Sequence, residues 1–282
     1  MAAGDIVVVH ENGAARKGNY FDGTDDYVLH DAHAVARVAA ADTVGTYTAW
    51  IYLDNISGTK CILSAGDNDS ATEYIQFYVY NDILAVKLYH GGAVQFQVVE
   101  TTGSLTAKTW IHVAVVQDAT QPKLYINGKN VATTNDTATD LTDWYGKITN
   151  GDKFAIGVLE SNNTHTLDWS GAIGRTKYFN IALSAKEVRT DATGESHTTN
   201  SGAARAAIIE TARVFDISME DDGTTDSGSG ADNGTLTGNA HYGGWISTHS
   251  IHLEAALSGH AAEYIQTFHL GNKLWTIVKK GD

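Results

Sequence analysis

The sequence predicts an all-β chain, an antiparallel β-sandwich or jelly roll with one or two short helices and a C-terminal β-hairpin extension. Three observations predict it. Apolar residues alternate with polar ones over many short segments, which is the period of a half-buried strand. Turn signals recur at intervals of about 8–12 residues, as sandwiches require. Helix signals are scarce.

The elements follow in order. "TYTAWIYLD" (Thr46–Asp54) and "KCILSAG" (Lys60–Gly66) are rich in β-branched and aromatic residues and read as strands. "EYIQFYVY" (Glu73–Tyr80), Asn81-Asp82 and "ILAVKLYH" (Ile83–His90) read as a hairpin with a two-residue polar turn. "AVQFQVVET" and "WIHVAVVQD" continue the series, and "KLYI", Asn127-Gly128 and "KNVAT" carry the strongest hairpin signal. Asn-Gly readily takes the positive φ angles of a type I′ turn. "KFAIGVLE" and "SGAIGRTKYFN" are two further strands. Ser184 with Glu187 three residues on is a capping box that opens a short helix to about Thr190. "SIHLEAALSGHAAEYIQ" (Ser250–Gln266) is a second helix candidate, and residues 191–206 read as a small, polar surface connection. "EYIQTFHL", Gly271-Asn272 and "KLWTIVK" repeat the strand–turn–strand chemistry near the C-terminus.

Bulk properties narrow the function. The chain has 282 residues and a net charge of −14, which argues against a nucleic-acid or anionic-membrane surface, since both need clustered cations. No run approaches the ~20 apolar residues that span a bilayer. The N-terminal "MAAGDIVVVHENG" lacks the basic region of a secretory signal, so the classical secretory route is not expected. Cys61 is the single cysteine and opens a core-like strand, which fits an inert thiol.

Catalytic signatures are sparse. A Gly-x-Ser-x-Gly elbow, a His-Glu-x-x-His pair and a Walker loop are all missing. Glu220 is the one glutamate with an aspartate two places on, Asp222, and a third carboxylate is lacking there. His249, His252 and His260 match no zinc spacing and suit a surface or interface. Trp144 and Tyr145 form an aromatic pair in the polar segment "DLTDWYGKIT" and are the expected glycan platform. A loop lid folded over the sandwich explains the same pair equally well. Trp50, Trp110 and Trp169 sit in strand patterns and are assigned to the core.

The ordered series "YFDGTDDYVLH", "TYTAWIYLD", "CILSAGD", "WIHVAVVQD…KLYINGK", "FAIGVLE" and "WSGAIGRTKYFNIALSAKEVR" resembles the concanavalin A-like lectin/glucanase superfamily. The resemblance is closest to its laminin G-like and pentraxin-like jelly rolls and covers roughly residues 18–245. It implies an N-terminal arm (1–18), a jelly-roll domain (19–245) and a C-terminal extension (246–282) for docking or assembly. "VFDISMEDD…HYGGW" (Val214–Trp245) is similar to an edge segment that closes beside the first strand. Calcium is the one cofactor the resemblance implies, held between "GDNDS" (Asp67, Asn68, Asp69) and "ESNN" (Glu160, Asn162). Loops that close their own turns through Asx hydrogen bonds are the alternative. "DGTDD" in "YFDGTDDYVL" reads as corner chemistry, with Asp22 and Gly23 making the turn and Asp25 and Asp26 facing solvent.

The expected function is a non-enzymatic structural or surface protein, a virion component such as a capsid decoration, fibre or tail protein. The expected location is a virion or extracellular surface. Its partners would be other assembly subunits, further copies of itself, and surface glycans. The alternative is a calcium-dependent carbohydrate-binding adhesion module, and the second alternative a glycoside hydrolase.

Overall fold

Strand alternation builds two sheets. The computed structural model describes residues 8–9, 15–16, 18–219, 225–231, 233–237, 241–242, 265–270 and 273–278. In chain order the first strands are β1 (Val8–Val9), β2 (Ala15–Arg16), β3 (Asn19–Asp22) and β4 (Tyr27–Leu29), followed by helix α1 (Asp31–Ala40). Next come β5 (Gly45–Leu53), β6 (Thr59–Gly66), β7 (Tyr74–Tyr80), β8 (Ile83–His90) and β9 (Ala93–Glu100). Then follow β10 (Trp110–Gln117), β11 (Pro122–Ile126), β12 (Lys129–Asn130), β13 (Thr133–Ala138) and β14 (Lys153–Ile156). The hairpin β15 (Leu159–Ser161) and β16 (Thr164–Thr166) leads into β17 (Ser170–Phe179). Helices α2 (Ala185–Thr193), α3 (His197–Ser201) and α4 (Ala203–Ala212) precede β18 (Arg213–Ile217), β19 (Thr235–Thr237) and β20 (His241–Tyr242). The last pair is β21 (Ile265–Leu270) and β22 (Lys273–Val278).

The first sheet runs β12-β11-β10-β5-β17-β3-β20 with β18 also on β17, and the second runs β13-β9-β8-β7-β6-β14-β4-β19. Among the described residues the strand pairings within them are antiparallel, as in a jelly-roll sandwich. The segment after the last long strand does close beside the first: β19 pairs with β4, and β20 with β3. Between the sheets lie Tyr47, Ala49, Ile51 and Leu53 of β5 against Ile75, Phe77 and Val79 of β7 and Leu84, Val86 and Leu88 of β8. The expected turns are present. Asn127 and Gly128 take φ 49° and 72°, and Asn81 takes φ 55°.

Helices cover the outer face of the first sheet. Val188 of α2 and Ile209 of α4 pack on Ala114, Val116, Tyr125 and Phe179. The capping box forms as its sequence predicts: Glu187 N donates to Ser184 Oγ at 3.3 Å, and Ser184 N to Glu187 Oε2 at 2.8 Å. Arg205 of α4 grips the same carboxylate at 2.7 and 3.0 Å, and this pairing, ahead of the backbone bonds, holds Glu187 down at about 2. Ser184→Ala is expected to lower stability by about 1 kcal/mol, read as a fall in Tm by thermal melting. An unchanged Tm would show the box to be idle.

Two expectations are corrected. Residues 191–206 are largely helical, and α1 was not foreseen, so four α-helices occur among the described residues. α1 and α4 have no side-chain hydrogen bond at their N-caps. The usual sequence mark of a helix start is therefore missing, and alanine-rich propensity with tertiary packing makes them. The chain divides into two units, Lys17–Tyr242 and a second made of Met1–Arg16 with Gly243–Asp282. In the second unit β1 pairs with β2, and β21 with β22, with Phe268 opposite Trp275. The expected C-terminal hairpin is thus present. The expected helix at Ser250–Gln266 falls outside the described residues, save Ile265 and Gln266, which begin a strand. Among the described residues no helix is long and apolar enough to cross a membrane.

Candidate functional site: a groove on the outer face of the second sheet

Alternation that sends Ile75, Phe77 and Val79 inward sends Tyr74, Gln76, Tyr78 and Tyr80 outward on β7. Pairing aligns this row with its neighbours. Gln76 lies opposite Lys87 and Tyr78 opposite Ala85 on β8, and Lys87 lies opposite Gln97 on β9. The result is a groove of about 460 Å³ lined by Thr59, Gln76, Tyr78, Tyr80, Ile83, Lys87, Gln97, Val99, Asp136 and Leu167. That volume falls among those of small-ligand sites, about 300–1,000 Å³.

Two irregularities shape the groove. The β13–β9 register shifts between Asn135 and Thr137, so Asp136 is the extra residue of a bulge. Bulges re-aim side chains, and Gln97 Nε2 donates to Asp136 Oδ2 at 3.3 Å. At the other end, the β15–β16 hairpin folds over the sheet. Ser64 Oγ donates to Val158 O at 2.9 Å and accepts from Glu160 N at 3.1 Å, and Cys61 N donates to Leu167 O at 2.8 Å. Leu159 and Leu167 then pack with Cys61, Tyr74 and Tyr89 as a wall.

The floor is polar and aromatic. Lys87 Nζ lies 5.2 Å from the centroid of the Tyr74 ring, a cation–π contact. Burial first, then Asp136 and Tyr74, pushes the Tyr78 phenol up to about 12, so it stays a neutral hydroxyl that both donates and accepts. Tyr80 is 53% exposed, the one tyrosine among the strongly exposed large apolar side chains of the described residues.

The residues expected from sequence lie elsewhere. Trp144 and Tyr145 are 1% and 0% exposed and belong to the core, so they form no glycan platform. Trp144 Nε1 donates to Tyr178 Oη at 3.2 Å, and Tyr178 Oη donates to Asp42 Oδ2 at 3.0 Å. The lid alternative explains them, with polar flanking residues disguising a buried pair. Trp110 and Trp169 are buried as expected, whereas Trp50 is half-buried against His112. Cys61 is a buried thiol whose pKa burial raises far.

The calcium set does not gather. Asp67 Oδ1 accepts from Asp69 N at 2.8 Å, an Asx turn, and Asn68 N donates to Asp152 Oδ1 at 2.9 Å. Glu160 is nearly buried, with its pKa raised by that burial, and lies 3.4 Å from His165 Nε2. Asn162 sits in the β15–β16 turn at φ 51°. Among the described residues, the one group of three histidine, cysteine or acidic side chains whose ligand atoms come within 4.8 Å is Asp22, Asp25 and Asp26. Asp67, Asp69 and Glu160 form no such group. The Asp22 group makes the predicted corner: Asp22 Oδ1 accepts from Thr24 N at 2.9 Å, and Gly23 takes φ 89°. Asp26 departs from expectation. It is 2% exposed, and its Oδ2 accepts from Asp22 N at 2.8 Å, because the turn folds that carboxylate back onto its own backbone. Glu220, Asp222, Trp245, His249, His252 and His260 lie outside the described residues.

The outward row of β7 was missed in the sequence, although Tyr-x-Gln-x-Tyr-x-Tyr alternates there with a fully apolar partner row. Both rows are legible. What sequence lacks is the knowledge that, among the described residues, this sheet, unlike the other, has no helix across its outer row.

Two antiparallel sheets, one of them bearing a polar and aromatic groove on its outer side, define a lectin-like jelly roll. The chain belongs to the concanavalin A-like lectin/glucanases superfamily, whose Laminin_G_3 family model matches residues 22–189. No curated protein matches it. Among solved structures it is similar to the CBM40 domain of the Ruminococcus gnavus IT-sialidase, with 20% identity, TM-score 0.54, and 63% of this chain and 96% of that one covered. The same domain bound to α2,3 sialyllactose aligns with 18% identity and TM-score 0.50, covering 63% and 94%. A leech intramolecular trans-sialidase in complex with 2,7-anhydro-Neu5Ac aligns with 22% identity and TM-score 0.50, covering 64% of this chain and 26% of that one. At these identities the likeness is one of fold.

Proposed function

We propose that the chain is a non-catalytic glycan-binding module and that the groove on β7, β8 and β9 is its binding surface. The observation that carries this reading is the outward row Tyr74, Gln76, Tyr78 and Tyr80, which ends in an exposed ring beside polar side chains. A pyranose has an apolar face that stacks on an aromatic ring and a rim of hydroxyls that suits amides, a carboxylate and an ammonium. Tyr80 supplies the platform, Lys87, Gln97 and Asp136 supply the rim, and Gln76 and Tyr78 lie in the floor. Similarity to sialidase-associated CBM40 domains supports the reading at the level of fold. Of the two non-enzymatic readings raised by the sequence, these comparisons favour the binding module. Placement in a virion draws no support from them.

Hydrolysis fits the groove poorly. A retaining glycosidase sets two carboxyl groups about 5–5.5 Å apart, and Asp136 is the sole carboxylate lining the groove.

Tyr80→Ala is expected to weaken glycan binding at least about tenfold, the scale of losing a central aromatic anchor. Its Tm should stay near wild type, since the ring is more than half exposed. Array-guided titration calorimetry checks this. Wild-type affinity in a folded variant would move the site away from the groove.

A further inference from the structure

We infer that the groove takes a neutral oligosaccharide, not a sugar bearing a carboxylate; this rests on the glycan-binding reading above. Charge inside the groove is balanced, with Lys87 the one cation and Asp136 the one anion among its lining residues. No arginine lines it. A guanidinium fork is the group that matches a carboxylate bidentately, whereas lysine offers a single point charge. The Lys87 ammonium is also drawn onto the Tyr74 ring.

Hydrogen-bonding capacity points the same way. The Asp136 carboxylate only accepts, so it needs donors from its ligand. The bulge in β13 places this acceptor in the groove, and Gln97 engages just one of its oxygens, Oδ2. Sugar hydroxyls donate and accept together and so satisfy Asp136, Lys87 and the glutamine amides at once. A ligand carboxylate donates nothing and meets Asp136 as a like charge. The net charge of −14 adds a general repulsion against acidic chains.

The two classes separate in paired titrations of the full chain. Lactose is compared with 3′- and 6′-sialyllactose, and cellotetraose, xylotetraose and laminaritetraose with trigalacturonate, each at low and high salt. The expected result is binding of at least one neutral glycan, no gain from an added carboxylate, and little salt dependence. Asp136→Asn should weaken that neutral ligand about tenfold, the scale of one hydrogen bond to a charged group. The residue is exposed on an edge strand, so the variant should melt like wild type. An acidic glycan bound tenfold tighter than its neutral parent, in a salt-sensitive way and more tightly still by Asp136→Asn, overturns the neutral class and leaves the glycan-binding reading standing. Neutral binding that Asp136→Asn leaves untouched overturns the argument from Asp136. No binding of any glycan removes the glycan-binding reading, and the inference falls with it.

Discussion

Replacing Asp191 with alanine is expected to cost about 3–5 kcal/mol, the loss seen when one partner of a buried ion pair is removed. Asp191 lies in α2 and is 5% exposed, facing the outer side of the first sheet. Three strands converge on it. Thr48 of β5 donates its hydroxyl to Oδ2 at 2.9 Å, His112 Nε2 of β10 lies 3.3 Å from the same oxygen, and the Lys177 ammonium of β17 pairs with Oδ1. Alanine would leave the Lys177 charge, 13% exposed, without its counter-charge beneath α2. Urea denaturation measures the loss. A cost under about 1 kcal/mol would show that the cluster relaxes into water and anchors nothing. The paired variant Asp191→Leu with Lys177→Met removes both charges and should recover most of the stability.

The pH dependence has a definite sign. Burial raises the Asp191 pKa, but Lys177 and His112 outweigh it and hold the carboxyl well below the usual range. The unfolded chain therefore takes up a proton at higher pH than the folded one. The Asp191 contribution is complete above the unfolded value, about 3.9, and is lost as pH falls below it. Glu187, held at about 2, acts in the same direction. Wild type should lose stability steeply between about pH 5 and pH 2, and Asp191→Asn should flatten that slope. Equal slopes in the two proteins would mean that other carboxylates govern acid unfolding.

How much of this was legible in the sequence depends on what each feature needed. Strands of the sandwich core are legible because a row that meets the facing sheet is apolar and the opposite row carries polar atoms, as in Ile75, Phe77 and Val79 against Tyr74, Gln76 and Tyr78. Local chemistry is legible too, in Asn127-Gly128 and in Ser184 with Glu187. Features set by distant pairing are not. Asp136 enters the groove through a register shift against β9, which no local pattern marks. Asp191 sits in a stretch that looks like polar linker until α2 packs on the first sheet, and then its carboxylate side chain is 5% exposed. The groove on the second sheet becomes a candidate site only because α2 and α4 occupy the other sheet, and that follows from topology.

Trp144 and Tyr80 separate the two aromatic readings experimentally. Sequence presents Trp144 as an aromatic in a polar loop, whereas in the fold it is sealed between Tyr47 and Tyr178, with Gly45 against it. A Cβ added at Gly45 would come within 2.7 Å of Trp144 Nε1, so backbone and ring are in close packing there. Trp144→Ala should therefore cost about 3–5 kcal/mol, the range for deleting a large buried aromatic. It also leaves the Tyr178 hydroxyl without its indole donor and Asp42 beside a cavity. The folded fraction of that variant, titrated below its Tm, should bind glycan with wild-type affinity, because its groove is intact. Tyr80→Ala should do the reverse, keeping the melt and losing the ligand. Stability and binding then divide between a residue of the core and a residue of the surface. If Trp144→Ala instead melted like wild type and lost binding, the loop and not the β7 face would be the glycan platform, and the burial of Trp144 would have no energetic meaning.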